Sequence, residues 1–161
     1  MTARLQNLTV AAESGDAEAM TELALVYARG EERQRVDLPK AVAWYRKAAD
    51  AGSRRAMGNL AYFYLNGISV RRDPARAVAL YEKAVCGPSP ALDQYLYDLA
   101  NCCELGVGIP PDKARAVELY SKSAQLGSRL AQRALARLGV MPAAAERVGI
   151  FDIMIPGIES R

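Results

Sequence analysis

A pattern that returns three times along the chain constrains its fold more than any other feature. Leu23-Ala-Leu-Val-Tyr27-Ala-Arg-Gly30, Leu60-Ala-Tyr-Phe-Tyr64-Leu-Asn-Gly67 and Leu99-Ala-Asn-Cys-Cys103-Glu-Leu-Gly106 share one register, with leucines 37 and 39 residues apart (60 − 23 and 99 − 60). A second block follows each copy: Asp37-Leu-Pro-Lys40-Ala-Val-Ala-Trp-Tyr45, Asp73-Pro-Ala-Arg76-Ala-Val-Ala-Leu-Tyr81 and Asp112-Lys-Ala-Arg115-Ala-Val-Glu-Leu-Tyr120. Two blocks recurring in fixed order identify a repeat architecture, in which each unit buries its apolar face by stacking on its neighbours.

Both blocks read as helices. Ala19, Leu23 and Tyr27 repeat at i, i+4 and i+8, and Gly30 stands where a left-handed C-terminal cap belongs. Asp37, Asp73 and Asp112 precede the second apolar run as N-caps, and Pro39 and Pro74 suit a first turn. Val42–Tyr45, Val78–Tyr81 and Val117–Tyr120 share a face at i, i+3, while recurrent alanines permit close helix approach. The pattern divides the chain into a capping helix (2–14), repeats at 15–51, 52–87 and 88–126, a half repeat (127–139) and an apolar tail (140–161). The tail, with Ile150, Phe151, Ile153, Met154, Ile155 and Ile158, is too apolar for simple disorder and is expected to fold back over a repeat face.

Units of this length and pattern resemble the Sel-one-like repeat (SLR) family of the tetratricopeptide (TPR) superfamily, over roughly residues 2 to 139. The family's Ala, Leu-Gly-x-x-Tyr, Gly-x-Gly-Val, Asp-x-x-Lys-Ala and Trp-Tyr-x-Lys-Ala-Ala elements are legible in all three copies, with Ala24, Ala61 and Ala100 in place of the Gly after the Leu. The third copy departs most: Tyr95 replaces the small Ala, Cys103 replaces the Tyr, and Pro88 and Pro90 enlarge the turn before it. The expected fold is an all-α, right-handed α-solenoid of stacked helix hairpins, with altered stacking between units two and three.

The sequence offers no converging set of catalytic residues. With no His among 161 residues, His-based metal sites and Ser-His or Cys-His nucleophile pairs are excluded. Three cysteines without C-x-x-C spacing argue against a disulfide framework or zinc site, and Cys102-Cys103 reads as a buried residue beside a partly exposed one. Gly106-Val-Gly108 belongs to the repeat loop rather than to a phosphate cradle. Asp98 and Glu104, six apart, are poorly placed to share a helix face and read as solvated. A net charge of +3 is too small for a nucleic-acid footprint, and the longest apolar runs are far short of the roughly 20 residues of a membrane span. The start of the sequence lacks a signal-peptide core, so a cytoplasmic, reduced setting is expected. No cofactor, metal or catalytic activity is expected, and the protein is expected to be a monomer or small homo-oligomer.

The resemblance implies a protein-interaction module whose first helices line a concave face. Mapped through the shared Leu and Tyr positions, the groove-facing residues are Glu18, Thr21, Leu25 and Arg29 in unit one, and Arg55, Gly58, Tyr62 and Asn66 in unit two. Unit three supplies Gln94, Tyr97, Asn101 and Glu104, and the half unit Arg133 and Arg137. Tyr62, Tyr95 and Tyr97 break the repeat, whereas the recurring tyrosines and Trp44 read as packing residues. The arginine pairs Arg54-Arg55 and Arg71-Arg72 read as solvated surface, with a site for an acidic partner as the alternative. The partner would be a protein: a general adaptor's client or, as for some bacterial SLR proteins, a toxin held by its immunity partner. A β-lactam-directed SLR enzyme is a more distant alternative, because such relatives pair their cysteines.

Overall fold

The computed structural model describes residues 2–140, and among these it contains helices and no strand. They are α1 (Ala3–Glu13), α2 (Ala17–Arg29), α3 (Leu38–Asp50), α4 (Arg54–Asn66), α5 (Pro74–Ala84), α6 (Leu92–Leu105), α7 (Lys113–Gln125) and α8 (Arg129–Arg137). The pairs α2–α3, α4–α5 and α6–α7 are the three hairpins; α1 packs on α2 at one end and α8 on α7 at the other. The protein is an all-α repeat solenoid. The expectation for the tail concerns residues 141–161, which lie outside the described residues; Val140 packs, partly buried, against the main core.

Local chemistry sets the boundaries. Asp37, Asp73 and Asp112 accept hydrogen bonds from the backbone N–H groups of Lys40, Arg76 and Arg115 at 2.9–3.0 Å, satisfying orphan donors of α3, α5 and α7. Asp16, Ser53 and Ser128 do the same for α2, α4 and α8. The first helix of each unit ends at Gly30, Gly67 or Gly106, all left-handed with φ near +70°, where a side chain would be strained and glycine is not. At the far end of each turn, the N–H groups of Asp37, Asp73 and Asp112 return to the carbonyls of Tyr27, Tyr64 and Cys103, fixing the hairpin angle.

The core runs lengthwise through the stack. Tyr45, Tyr81 and Tyr120 are fully buried at its centre. Each ring contributes roughly 2–3 kcal/mol of apolar transfer, provided its hydroxyl finds a partner. Tyr81 donates to Asp98 at 3.2 Å, and Tyr120 to Asn101 at 2.6 Å and Glu104 at 2.8 Å. The Asn59 side chain faces the Tyr45 hydroxyl. A smaller cluster of Leu5, Ala12, Ala19, Leu23 and Val26 seals α1 onto α2, with Trp44 partly buried at the joint.

Stacking is not uniform along the array. Unit three meets unit two through Tyr95, whose ring lies against Gly58: a Cβ on Gly58 would come within 2.5 Å of Tyr95 Cε1 and Cε2. The Tyr95 hydroxyl donates to the Arg55 carbonyl at 3.1 Å and to Asn59 Oδ1 at 3.0 Å. Helix α5 is 11 residues against 13 for α3 and α7, and Ala91, at the N-cap position of α6, supplies no side-chain cap.

Candidate interaction face

The first helices of the units, α2, α4, α6 and α8, carry all the groove residues expected from the sequence, but not all of them reach the surface. Thr21 is fully buried, its hydroxyl bonded to the Ala17 carbonyl and to Ser53 Oγ at 2.8 Å. Leu25 is buried in the main core, and Gly58 is covered by Tyr95. These three are corrections to the sequence mapping. Each inner helix packs against its own hairpin partner, where it has one, and against the second helix of the preceding unit, so the stripe left to solvent is narrower than a superfamily mapping allows.

Exposed on that face are Glu18, Arg29, Tyr62, Asn66, Gln94, Arg133 and Arg137; Arg55, Tyr97, Asn101 and Glu104 are half-buried. The structure joins several across unit boundaries. Arg55 donates to Glu18 Oε1 at 2.8 Å and to Glu22, clamping unit two onto unit one. Arg137 donates to Glu104 Oε2 at 2.7 Å, and the same oxygen accepts from Tyr120. The Arg137 bond holds the Glu104 carboxyl below its ordinary range against the opposing effect of desolvation. Tyr97 packs on Tyr120 with ring centroids 5.7 Å apart. Arg29 reaches only Glu31, a loop neighbour, at 3.4 Å.

Asp98 and Glu104 are not the solvated residues the sequence suggested. Gln94 and Tyr81 both donate to Asp98, while burial pushes its carboxyl up to about 6 because desolvation outweighs those bonds. The polar residue just before each repeat leucine (Glu22, Asn59, Asp98) is the signal that was overlooked. Asn59 and Asp98 meet the buried tyrosine hydroxyl of the preceding unit. In the last unit Ala134 stands there, and Tyr120 turns back to Asn101 and Glu104.

Between units two and three, Asn66 and Asn101 come together on a hollow of about 460 Å³, with Arg72 and the 67%-exposed Leu105 also lining it. Leu105 was not among the expected site residues, although it stands at the repeat position of Arg29 and Asn66, one before the closing glycine; Glu104, its neighbour, was named for unit three in its place. Tyr62, one helical turn before Asn66, presents a half-exposed ring (51%). Asn66 Nδ2 is used locally, donating to the Tyr62 carbonyl at 2.8 Å.

The cysteines correct a second expectation: Cys102 and Cys103 are both buried, and burial pushes the Cys102 thiol up to about 11. That places it far from the thiolate range needed for redox chemistry. Cys86 is exposed, and all three are free. Among the described residues no group of His, Cys, Asp and Glu converges as a metal would require, and no helix is long and apolar enough to cross a membrane.

Stacked helix hairpins with tyrosine-centred seams define a class of repeat scaffold. The Sel1 repeat pattern matches residues 17–53, 54–87 and 94–128, and the chain belongs to the Sel1 repeat family. Proteins of this family generally mediate protein–protein interaction and generally act as non-catalytic scaffolds. The chain is 36% identical over 101 residues to chitin synthase regulatory factor 3 of Schizosaccharomyces pombe, covering 60% of this chain but 11% of that protein. A Sel1 repeat protein from Oxalobacter formigenes superposes with a TM-score of 0.73 at 30% identity, over 84% of this chain and 99% of the other. A protective antigen of uropathogenic Escherichia coli strains, displaying an SLR fold, gives 0.74 at 34% identity, over 83% of this chain and 28% of that one. Helicobacter pylori cysteine rich protein B gives 0.59 at 25% identity, over 81% and 96%.

Proposed function

We propose that this chain is a non-catalytic adaptor that binds a protein partner across the face formed by α2, α4, α6 and α8. The observation that carries the reading is the exposed Tyr62 beside the Asn66–Asn101–Leu105 hollow: an amphipathic ring, two amides and an unpartnered leucine in one place. These are residue types that bind at interfaces, the ring by burial and the amides by pairing with backbone groups. Glu18, Arg29, Arg55, Gln94, Tyr97, Glu104, Arg133 and Arg137 form the polar surround. A relative named as a regulatory factor supports a role exercised by occupying another protein's surface.

Capture of the partner by wild-type chain and by Tyr62→Ala tests the reading. Truncating an interface Tyr commonly weakens binding by about thirtyfold, whereas Tyr62 has little packing to lose. The variant is expected to lose the partner and keep the wild-type melting curve. Tyr97→Ala does not serve this purpose, because Tyr97 supports the buried Tyr120 ring. Retained binding by Tyr62→Ala refutes the assignment of this face. A dedicated toxin neutraliser is the narrower form of the same reading, and the captured partner's own toxicity separates it from a general adaptor.

A further inference from the structure

We propose that a cavity on the loop side of the second unit binds a phosphate group carried by a segment of the protein partner. This rests on the protein-binding reading above; Arg72 alone borders both this cavity and the hollow beside Tyr62. The cavity, about 420 Å³, is lined by Arg46, Arg71, Arg72 and Arg76, together with Tyr64, Val70 and Asp73. Four cations and one carboxylate leave a local excess of +3 (4 − 1), as large as the net charge of the whole chain.

None of the four guanidinium groups forms an ion pair among the described residues. Tyr64 organises two of them: Arg76 stacks over its ring with Cζ 4.6 Å from the centroid, and Arg46 donates to its hydroxyl at 3.1 Å. That hydroxyl keeps its own proton to give. Arg72 is anchored through Nε on the Leu65 carbonyl at 3.0 Å, which leaves both its terminal nitrogens for a ligand. Asp73 Oδ1 is engaged by the Arg76 N–H as the cap of α5.

The other units show that this arrangement is particular to unit two. A cation recurs at the Arg76 position in every unit, as Lys40 and Arg115. In unit one Lys40 pairs with Asp37 at 3.1 Å. In unit three Arg115 pairs with Glu82 at 2.8 Å, and Glu82 occupies the repeat position of Arg46. Pro110-Pro111 stand there in place of Arg71-Arg72. The same scaffold site is thus neutralised in two units, and charged by an Arg for the Glu in the middle one.

Like charges gathered without a counter-ion repel one another, so the cluster is best satisfied by an anion from outside. Its forks come from α3, from the loop and from α5, three directions that a planar carboxylate cannot serve together. A phosphomonoester offers three acceptor oxygens and a charge near −2, and arginine forks bind such groups bidentately.

The test uses the full chain and a fluorescent peptide of otherwise uncharged sequence carrying one phosphoserine, beside its serine twin. Expected are binding at least about tenfold tighter for the phosphopeptide, displacement by inorganic phosphate, and roughly tenfold weakening in each of Arg46→Gln, Arg71→Gln and Arg76→Gln. Arg115→Gln, in the neutralised site, should bind like wild type. Arg71 is exposed and makes no bond to lose, so its variant remains informative where Arg76→Gln disturbs the Tyr64 stack. Equal affinity for the two peptides, or an equal loss in Arg115→Gln, overturns the proposal. So does tighter binding of an oligouridine through the same arginines, or a phosphopeptide that binds no better than inorganic phosphate. If phosphopeptide binding fails while Tyr62→Ala still releases the captured partner, this site fails alone. If phosphopeptide binding holds while Tyr62→Ala retains the partner, the other face fails alone.

Discussion

The seam between units one and two and the seam between units two and three solve one packing problem with opposite volumes. At the first, small residues sit on both sides: Thr21 hydrogen-bonds Ser53, and the closure is electrostatic, through Arg55 on Glu18 and Glu22. At the second, one side is emptied and the other filled: Gly58 has no side chain and Tyr95 supplies a ring whose hydroxyl bonds back across the seam. The lesson is that a departure on one side of a seam is answered by a departure on the other. The Tyr95 departure from the repeat, from which altered stacking between units two and three was expected, is the partner of the Gly58 departure.

Tyr95→Ala should break the comparison most severely. It removes a buried ring together with its bonds to Asn59 Oδ1 and the Arg55 carbonyl, with an expected loss of about 3–5 kcal/mol, read by chemical denaturation. Gly58→Ala should come next, at about 1–3 kcal/mol from overpacking against that ring. The double variant should be more stable than the two losses added together, because the cavity left by Tyr95 accepts the new methyl. Strict additivity would show that the two residues do not share a seam.

Asp98→Asn sharpens the comparison, since it gives the second seam the amide that Asn59 supplies at the first. Desolvation raises the Asp98 carboxyl from 3.8 to about 6. The stability tied to this group is therefore fully present below its ordinary pKa and lost as pH rises through about 6. With partial exposure discounting the shift, the ionised form costs about 1–2 kcal/mol at neutral pH. The wild type should regain about half of that between pH 7.5 and 5 and the rest as pH falls toward 3.8, while the variant should start higher by a few degrees at pH 7.5 and lack the rise. A flat wild-type profile across this interval would show Asp98 to be hydrated.

The smallest effect is expected at the ionic closures. Arg137→Gln should cost no more than about 1 kcal/mol in thermal melts, and less at high salt, because Arg137 is mostly exposed while its partner Glu104 keeps the Tyr120 hydroxyl. A larger loss would mean that Arg137 closes the array as Tyr95 closes the second seam.

The sequence by itself determined the elements, their order and their ends. Helix periodicity, the aspartate and serine caps and the glycines at 30, 67 and 106 act within a few residues of one another, so their consequences can be read locally. It also marked Tyr45, Tyr81 and Tyr120 as core, because a position repeated in every unit must do the same packing in each. Tertiary structure decided which residues of an inner helix are left to solvent and which charges meet. Thr21 and Leu25 were assigned outward and lie inward, and Asp98 became half-buried under Tyr81. Arg46, more than 20 residues upstream of Arg71-Arg72 and Arg76 in sequence, came to share their cavity. Each of these depends on how one unit sits on the next, a relation set by contacts 17 to 40 residues apart. Helix periodicity is decided within a turn and carries no information about that distance.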